Sequence, residues 1–204
     1  MHHKSFLIFL IMSPLFVHHS YAQNPWEIDK NKDGIIVYTR IEEDSDFKSF
    51  KAVVKVNATT DKILKTFKNA DNYSKWYGYT KTSQLIKQER DTQFNYVETI
   101  FPWPYRNRDM VYRMSISRLN QATTKISLKG IPEYIPEKTD IVRMKKAEGY
   151  ILLNAQNGDS TEIVYIFHSE PGEKIPPWLA NNSIAELPFK TLMGLREILE
   201  EENH

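Results

Sequence analysis

From Lys81 to Ile166 the chain is a succession of short segments in which apolar and polar residues alternate, each closed by turn-forming residues. The segments read TSQLIKQ, QFNYVETIF, MVYRMSISRL, TKISLKG, DIVRMKK, GYILLNA and TEIVYIFH. Between them stand Glu89-Arg90-Asp91, Asn120-Gln121-Ala122 and Asn157-Gly158-Asp159, residue types that favour tight turns. A period of two places alternate side chains on opposite faces of a strand, so one face can be buried while the other meets water. IIVYTRI (Ile35 to Ile41) and FKAVVKV (Phe50 to Val56) extend the pattern upstream, with Phe50, Ala52, Val54 and Val56 on one face and Lys51 and Lys55 on the other. Strands joined by short turns pair antiparallel, and the apolar face of such a sheet needs a cover.

The cover is at the C-terminus. From Pro177 to Glu201 the period changes to that of a helix, with Ile184, Leu187, Thr191, Leu195 and Ile198 on one stripe and Leu192 and Leu199 beside it. Pro188 removes a backbone donor within this stretch and predicts a kink or break there. A shorter helix is predicted from Thr59-Thr60-Asp61, carrying Ile63, Leu64 and Phe67 inward and ending near Asn69 to Asn72. The expected fold is a single α+β domain, an antiparallel sheet with a long terminal helix packed across it.

Composition narrows the function. Lys4, the apolar run Phe6 to Val17 and Ser20-Tyr21-Ala22 before Gln23 read as a cleavable export signal over residues 1–22, leaving a domain from 23 to 204. The apolar run is shorter than the roughly 20 residues a membrane-spanning helix needs. The expected location is periplasmic or secreted, for a soluble and monomeric protein. Lys4 is the leader's one charged residue, and taking it from 27 basic residues leaves 26 against 26 acidic ones. A neutral chain lacks the clustered basic charge that nucleic acid requires. Cysteine is absent, so there is no disulfide or thiol chemistry. Asp29-Lys30-Asn31-Lys32-Asp33-Gly34 imitates the opening of a calcium loop, but position 12 of that loop is Arg40 where a bidentate carboxylate is needed. Asp33-Gly34 before an alternating run is an ordinary turn signal. No metal and no cofactor are expected.

One stretch is more specific. YVETIFPWPYRNRDMVYRM (Tyr96 to Met114) joins an alternating strand, a PWPxxNRD segment and a second strand. WEIDKNKDGIIVYTR and FKAVVKVNATTDKIL precede it, and VRMKKAEGYILL, TEIVYIFHSEPG, IPPWLANN and LPFKTLMGLR follow in order. From Trp26 to about Leu199 the chain resembles the START lipid-transfer domain family. That resemblance implies a helix-grip fold, a curved antiparallel sheet wrapped around a long C-terminal helix. It also implies an interior cavity holding one lipid or other hydrophobic ligand, for transfer or sensing, without catalysis. Transient membrane contact goes with such a task.

The candidate ligand-binding residues are Tyr96, Glu98, Arg108, Tyr112, Met114, Met144, Tyr165, Trp178 and Leu187. Glu98 shares a face with Phe94, Tyr96 and Ile100, and is either a solvated strand residue or a cavity-facing acid in need of a partner. In sterol-type members of the resembled family an arginine on the next strand supplies that partner; the corresponding position here is Met114, and Arg113 points the other way. Arg108 and Asp109 fit either a lipid head-group contact or a salt bridge that pins the loop. Tyr112, Met114 and Ile116 share an inward face as cavity wall or core. Trp178 and Leu179 read as a membrane-touching tip or as a hydrophobic anchor, as do Trp76 and Tyr77. The alternative function is a cyclase- or hydrolase-like helix-grip enzyme, for which Glu98 and His168 are the acid/base candidates.

Overall fold

The computed structural model describes residues 24–172 and 175–201; the expected leader lies outside them. Ten strands form one sheet: β1 (Glu27–Lys32), β2 (Ile35–Ile41), β3 (Lys48–Val56), β4 (Thr80–Glu89), β5 (Thr92–Thr99), β6 (Arg108–Arg118), β7 (Thr123–Gly130), β8 (Val142–Arg143), β9 (Lys146–Ala155) and β10 (Thr161–Glu170). Their order across the sheet is β1-β2-β3-β10-β9-β7-β6-β5-β4, antiparallel throughout, with two-residue β8 pairing parallel to β6 off that path. Among the described residues there are also three helices, α1 (Thr60–Lys68), α2 (Pro177–Ser183) and α3 (Glu186–Glu201), with a 3-10 turn over Ala70–Lys75 after α1.

Alternation predicted the faces of β3 correctly: Phe50, Ala52, Val54 and Val56 are all buried. Thr59 caps α1, its hydroxyl accepting from the Lys62 amide at 3.3 Å and satisfying one of the orphan N–H groups of the first turn. Ahead of the strands read from sequence, Glu27, Ile28 and Lys30 to Lys32 pair with β2 across the hairpin and make β1. Two expectations needed correction. DIVRMKK is not a full strand; it contributes two paired residues and then a connector. Pro188 does not break the C-terminal helix. The break falls at Ile184 and Ala185, and Pro188 occupies the first turn of α3, where its missing N–H would have had no intrahelical acceptor.

The calcium-like segment is a hairpin. Asp33 and Gly34 have φ of 52° and 72°, positive at both central positions as a type I′ turn requires, with Lys32 paired to Ile35. Asp29 accepts from the Thr39 hydroxyl across the strands at 3.3 Å. Millimolar calcium is therefore expected to leave the melting temperature unchanged. A site filled at 100 times its dissociation constant would add about 2.7 kcal/mol, a rise any melting curve would register.

The same hairpin holds α3 in place. Lys30 pairs with Glu186 at 2.6 Å and Arg196 donates to the Asp33 carbonyl at 2.7 Å. On its inner side α3 buries Phe189, Leu192, Leu195 and Leu199 against the sheet. Two glycines set how near the helix comes to the segment after the 3-10 turn. A Cβ on Gly194 would lie 2.4 Å from the Trp76 carbonyl oxygen, and one on Gly78 would lie 2.7 Å from that of Leu187. Any larger residue would push α3 away from Trp76 to Gly78.

Candidate functional site

Where α2 and the first turn of α3 cross the sheet, the core does not close. A cavity of about 440 Å³ remains between them. Small-molecule sites occupy roughly 300–1,000 Å³, so this one is sized for a single modest ligand. Its sheet wall is built by Phe50 of β3, Val97 and Thr99 of β5, Met110 of β6, and Tyr165 and Phe167 of β10. Ala180 and Leu187 close it from the helices, Ile184 from the break between them, Met144 from the connector after β8, and Ile100, Phe101 and Pro102 from the segment after β5. Aromatic packing stiffens the wall: the Phe50 ring meets Tyr165 edge-on at 4.9 Å.

The polar groups in this wall are few and neutral, apart from Lys48 and Glu186. The hydroxyls of Tyr77 and Tyr165 hydrogen-bond one another. Burial pushes the Tyr77 hydroxyl up to about 12, and burial together with its tyrosine neighbours pushes Tyr165 well above the usual range. Both are thus neutral phenols at any physiological pH.

Of the residues singled out from sequence, Met144, Tyr165 and Leu187 stand in the cavity wall; Tyr96, Glu98, Arg108, Tyr112, Met114 and Trp178 stand outside it. The reason for Tyr96 and Glu98 is phase. The cavity face of β5 carries Val97 and Thr99, and the alternate face lies under the connector between β7 and β8, where Lys138 reaches the Tyr96 hydroxyl at 2.9 Å and Tyr134 stacks on Phe94 at 4.8 Å. Glu98 is buried with Asn107 at 2.7 Å and Lys81 at 3.0 Å. Burial alone would raise its pKa, but these two partners outweigh that and hold its carboxyl below the usual range. Arg108 serves the loops: its guanidinium covers the Phe101 ring at 4.6 Å and donates to the Pro171 carbonyl at 3.0 Å. Asp109 takes Arg143 as its partner, not Arg108. Tyr112 is buried beside Tyr73 and Tyr77, and Met114 lies deeper in the core. Trp178 is 64% exposed, on a helix with no buried residue. His168 bonds Ser49 across the strands at 3.1 Å and, like Glu98, has no place in the cavity wall.

Sequence reasoning passed over Phe50, Val97, Met110 and Phe167. For Met110 a signal existed, since it continues the inward face of Tyr112 and Met114 toward the start of β6. For Val97 the signal pointed the other way, because its face of β5 also carries Gln93, Asn95 and Thr99 while Phe94 and Tyr96 lie on the alternate face.

A curved antiparallel sheet closed by a C-terminal helix over an apolar chamber defines a helix-grip protein. The START domain family model matches residues 18–203, and the chain belongs to that family. An uncharacterized protein of Pseudomonas aeruginosa is 31% identical over 175 residues, covering 86% of this chain and 87% of that protein. The mouse phosphatidylcholine transfer protein is 24% identical over 163 residues, covering 76% of this chain and 75% of its own. The crystal structure of a STAR-related lipid transfer protein from Xanthomonas axonopodis superposes with a TM-score of 0.81 at 32% identity, over 86% of this chain and 98% of that one. The fold alone is also shared with the Zhui aromatase/cyclase from Streptomyces, at a TM-score of 0.53 and 11% identity.

Proposed function

We propose that the protein takes up one lipid or other hydrophobic molecule in this cavity, for transfer or sensing, and performs no chemistry on it. The observation that carries the reading is the apolar chamber between the sheet and the helices. Filling it removes ligand surface from water at about 25 cal/mol per Å², against which the ordering cost of association is set. Neither Glu98 nor His168 reaches the chamber, so the acid/base pair that an enzyme reading would need is not assembled from them.

Uptake requires a gate, and α2 fits that task. It buries none of its residues, and Asn181 ties it to the start of β3 by accepting from the Lys48 amide and donating to the Asp46 carbonyl, both at 2.9 Å. Trp178 on α2, and Ile100 and Trp103 (93% exposed) after β5, present apolar surface within two residues of the cavity wall. Such groups suit transient contact with a bilayer interface, from which a ligand would pass inward. No helix among the described residues is long and apolar enough to cross a membrane. Export with removal of residues 1–22 completes the proposal.

One experiment addresses these points together. The full-length chain is expressed, purified without detergent and weighed by native mass spectrometry. The expected species is a monomer that begins at Gln23 and carries one small-molecule adduct, lost on solvent extraction. A chain that carries no adduct, and that takes up no lipid from phospholipid vesicles, would refute the binding proposal; an intact leader would refute export.

A further inference from the structure

We infer that the cavity selects an uncharged ligand whose single hydroxyl or carbonyl oxygen is received by the Tyr77–Tyr165 hydroxyl pair, and that it discriminates against phosphate-bearing lipids. This rests on the binding function proposed above and names its ligand class.

A phosphate buried in an apolar chamber needs a cation or several aligned donors beside it, because an unpaired buried anion is opposed by several kcal/mol. Lys48 and Glu186 are the charged side chains among the described residues of the wall, and Glu186 is taken by Lys30. Lys48 begins β3 beside α2, four residues along the strand from Ala52, the partner of Tyr165. The other buried charges are committed elsewhere. Asp109 holds Arg143, Glu98 is held by Lys81 and Asn107, and Arg108 donates to the Pro171 and Arg106 carbonyls.

What the interior does offer is hydroxyl. A phenol has one donor and two acceptor lone pairs. The bond between Tyr77 and Tyr165 uses one of the pair's two protons, and leaves one O–H to donate and lone pairs to accept. That matches one alcohol or carbonyl oxygen. Behind the pair the polar layer continues without charge: Tyr73 and Tyr112 lie alongside, and fully buried Asn95 stands opposite Tyr112 on the neighbouring strand. A polar ligand end here would meet dipoles only. The chamber's size agrees, since about 440 Å³ lies toward the lower end of the range for small-molecule sites.

The test uses diphenylhexatriene, a fluorescent hydrocarbon without a polar group, as the probe of the cavity itself. Three competitors displace it: oleyl alcohol, 1-octadecene, which lacks the hydroxyl, and oleoyl lysophosphatidate, which replaces it with a phosphate. For the wild-type protein oleyl alcohol is expected to compete five- to tenfold better than octadecene, the worth of about one net hydrogen bond, and at least tenfold better than the lysophosphatidate. Tyr77→Phe with Tyr165→Phe removes both hydroxyls together, so neither is orphaned and both rings stay. With each competitor scored against the variant's own diphenylhexatriene affinity, it should erase the preference for the alcohol over octadecene. Tyr165→Phe alone serves if the double variant does not fold, with a loss of at least threefold expected. The inference is overturned if lysophosphatidate competes as well as the alcohol, or if the phenylalanine variants keep the alcohol preference. Failure of diphenylhexatriene to bind wild type at all would instead overturn the binding function beneath it.

Discussion

Replacing Arg143 by methionine is expected to lower the stability of the folded protein by about 3–5 kcal/mol, the usual cost of stripping one partner from a buried ion pair. The Arg143 and Asp109 side chains are 0% and 1% exposed, and they meet in a two-point contact, Nε to Oδ1 at 2.7 Å and Nη2 to Oδ2 at 3.1 Å. The same guanidinium donates to the carbonyls of Pro132, Ile135 at 3.1 Å and Pro136 at 3.3 Å. Methionine fills similar volume but leaves a carboxylate and three carbonyls without their donor in a dry interior. A second replacement, Asp109→Leu in the Arg143→Met background, should recover much of the loss, because the orphaned charge is then gone. Urea denaturation measures both: the midpoint falls for the single variant and climbs back for the double, with little change in slope. A loss below about 1 kcal/mol for Arg143→Met would show that the pair is not buried as described.

The second large effect concerns the cavity. Met110→Asp is expected to weaken diphenylhexatriene binding by at least 100-fold while Arg113→Glu leaves it unchanged. Met110 stands in the cavity wall, and aspartate is too short to carry its charge out to the mouth. An unpaired carboxylate there opposes an apolar ligand by several kcal/mol. Arg113 is exposed, on the opposite face of β6, and so tests for charge effects without touching the chamber. Met114 would be a poor probe, since it lies in the closed core and a charge there threatens folding itself. Met110→Trp supplies the uncharged counterpart, narrowing the chamber by volume. Circular dichroism checks that each variant is folded. Normal binding by folded Met110→Asp would show that the ligand does not occupy this chamber.

These two predictions sit on opposite sides of what could be read in advance. The strand periods and the capped start of α1 were legible because each depends on a residue and its near neighbours: a Thr at the N-cap, an apolar residue at every second position, turn formers between. Family membership was legible too, since YVETIFPWPYRNRD and its flanking blocks are local strings in a set order. The phase of β5 was not. Alternation identifies an inner face only when the other face is wet, and here the connector carrying Tyr134 and Lys138 folds over Phe94 and Tyr96 and buries the outer side as well. The cavity face carries Gln93, Asn95 and Thr99 beside Val97, whereas Phe94 and Tyr96 make the alternate face the more apolar, so alternation favoured Tyr96 and Glu98.

By itself, then, the sequence determined the sheet, the terminal helix that covers it, the absence of thiol chemistry and the family. Only the tertiary structure decided which side chains face the cavity, that Asp109 finds Arg143 rather than its neighbour Arg108, and that the hydroxyls of Tyr77 and Tyr165 meet. Each of those is a contact between residues far apart in the chain, set by sheet register and by how closely α3 can approach at Gly78 and Gly194. The cavity is the extreme case. It is volume that packed side chains fail to fill, and so it belongs to no residue and to no local pattern.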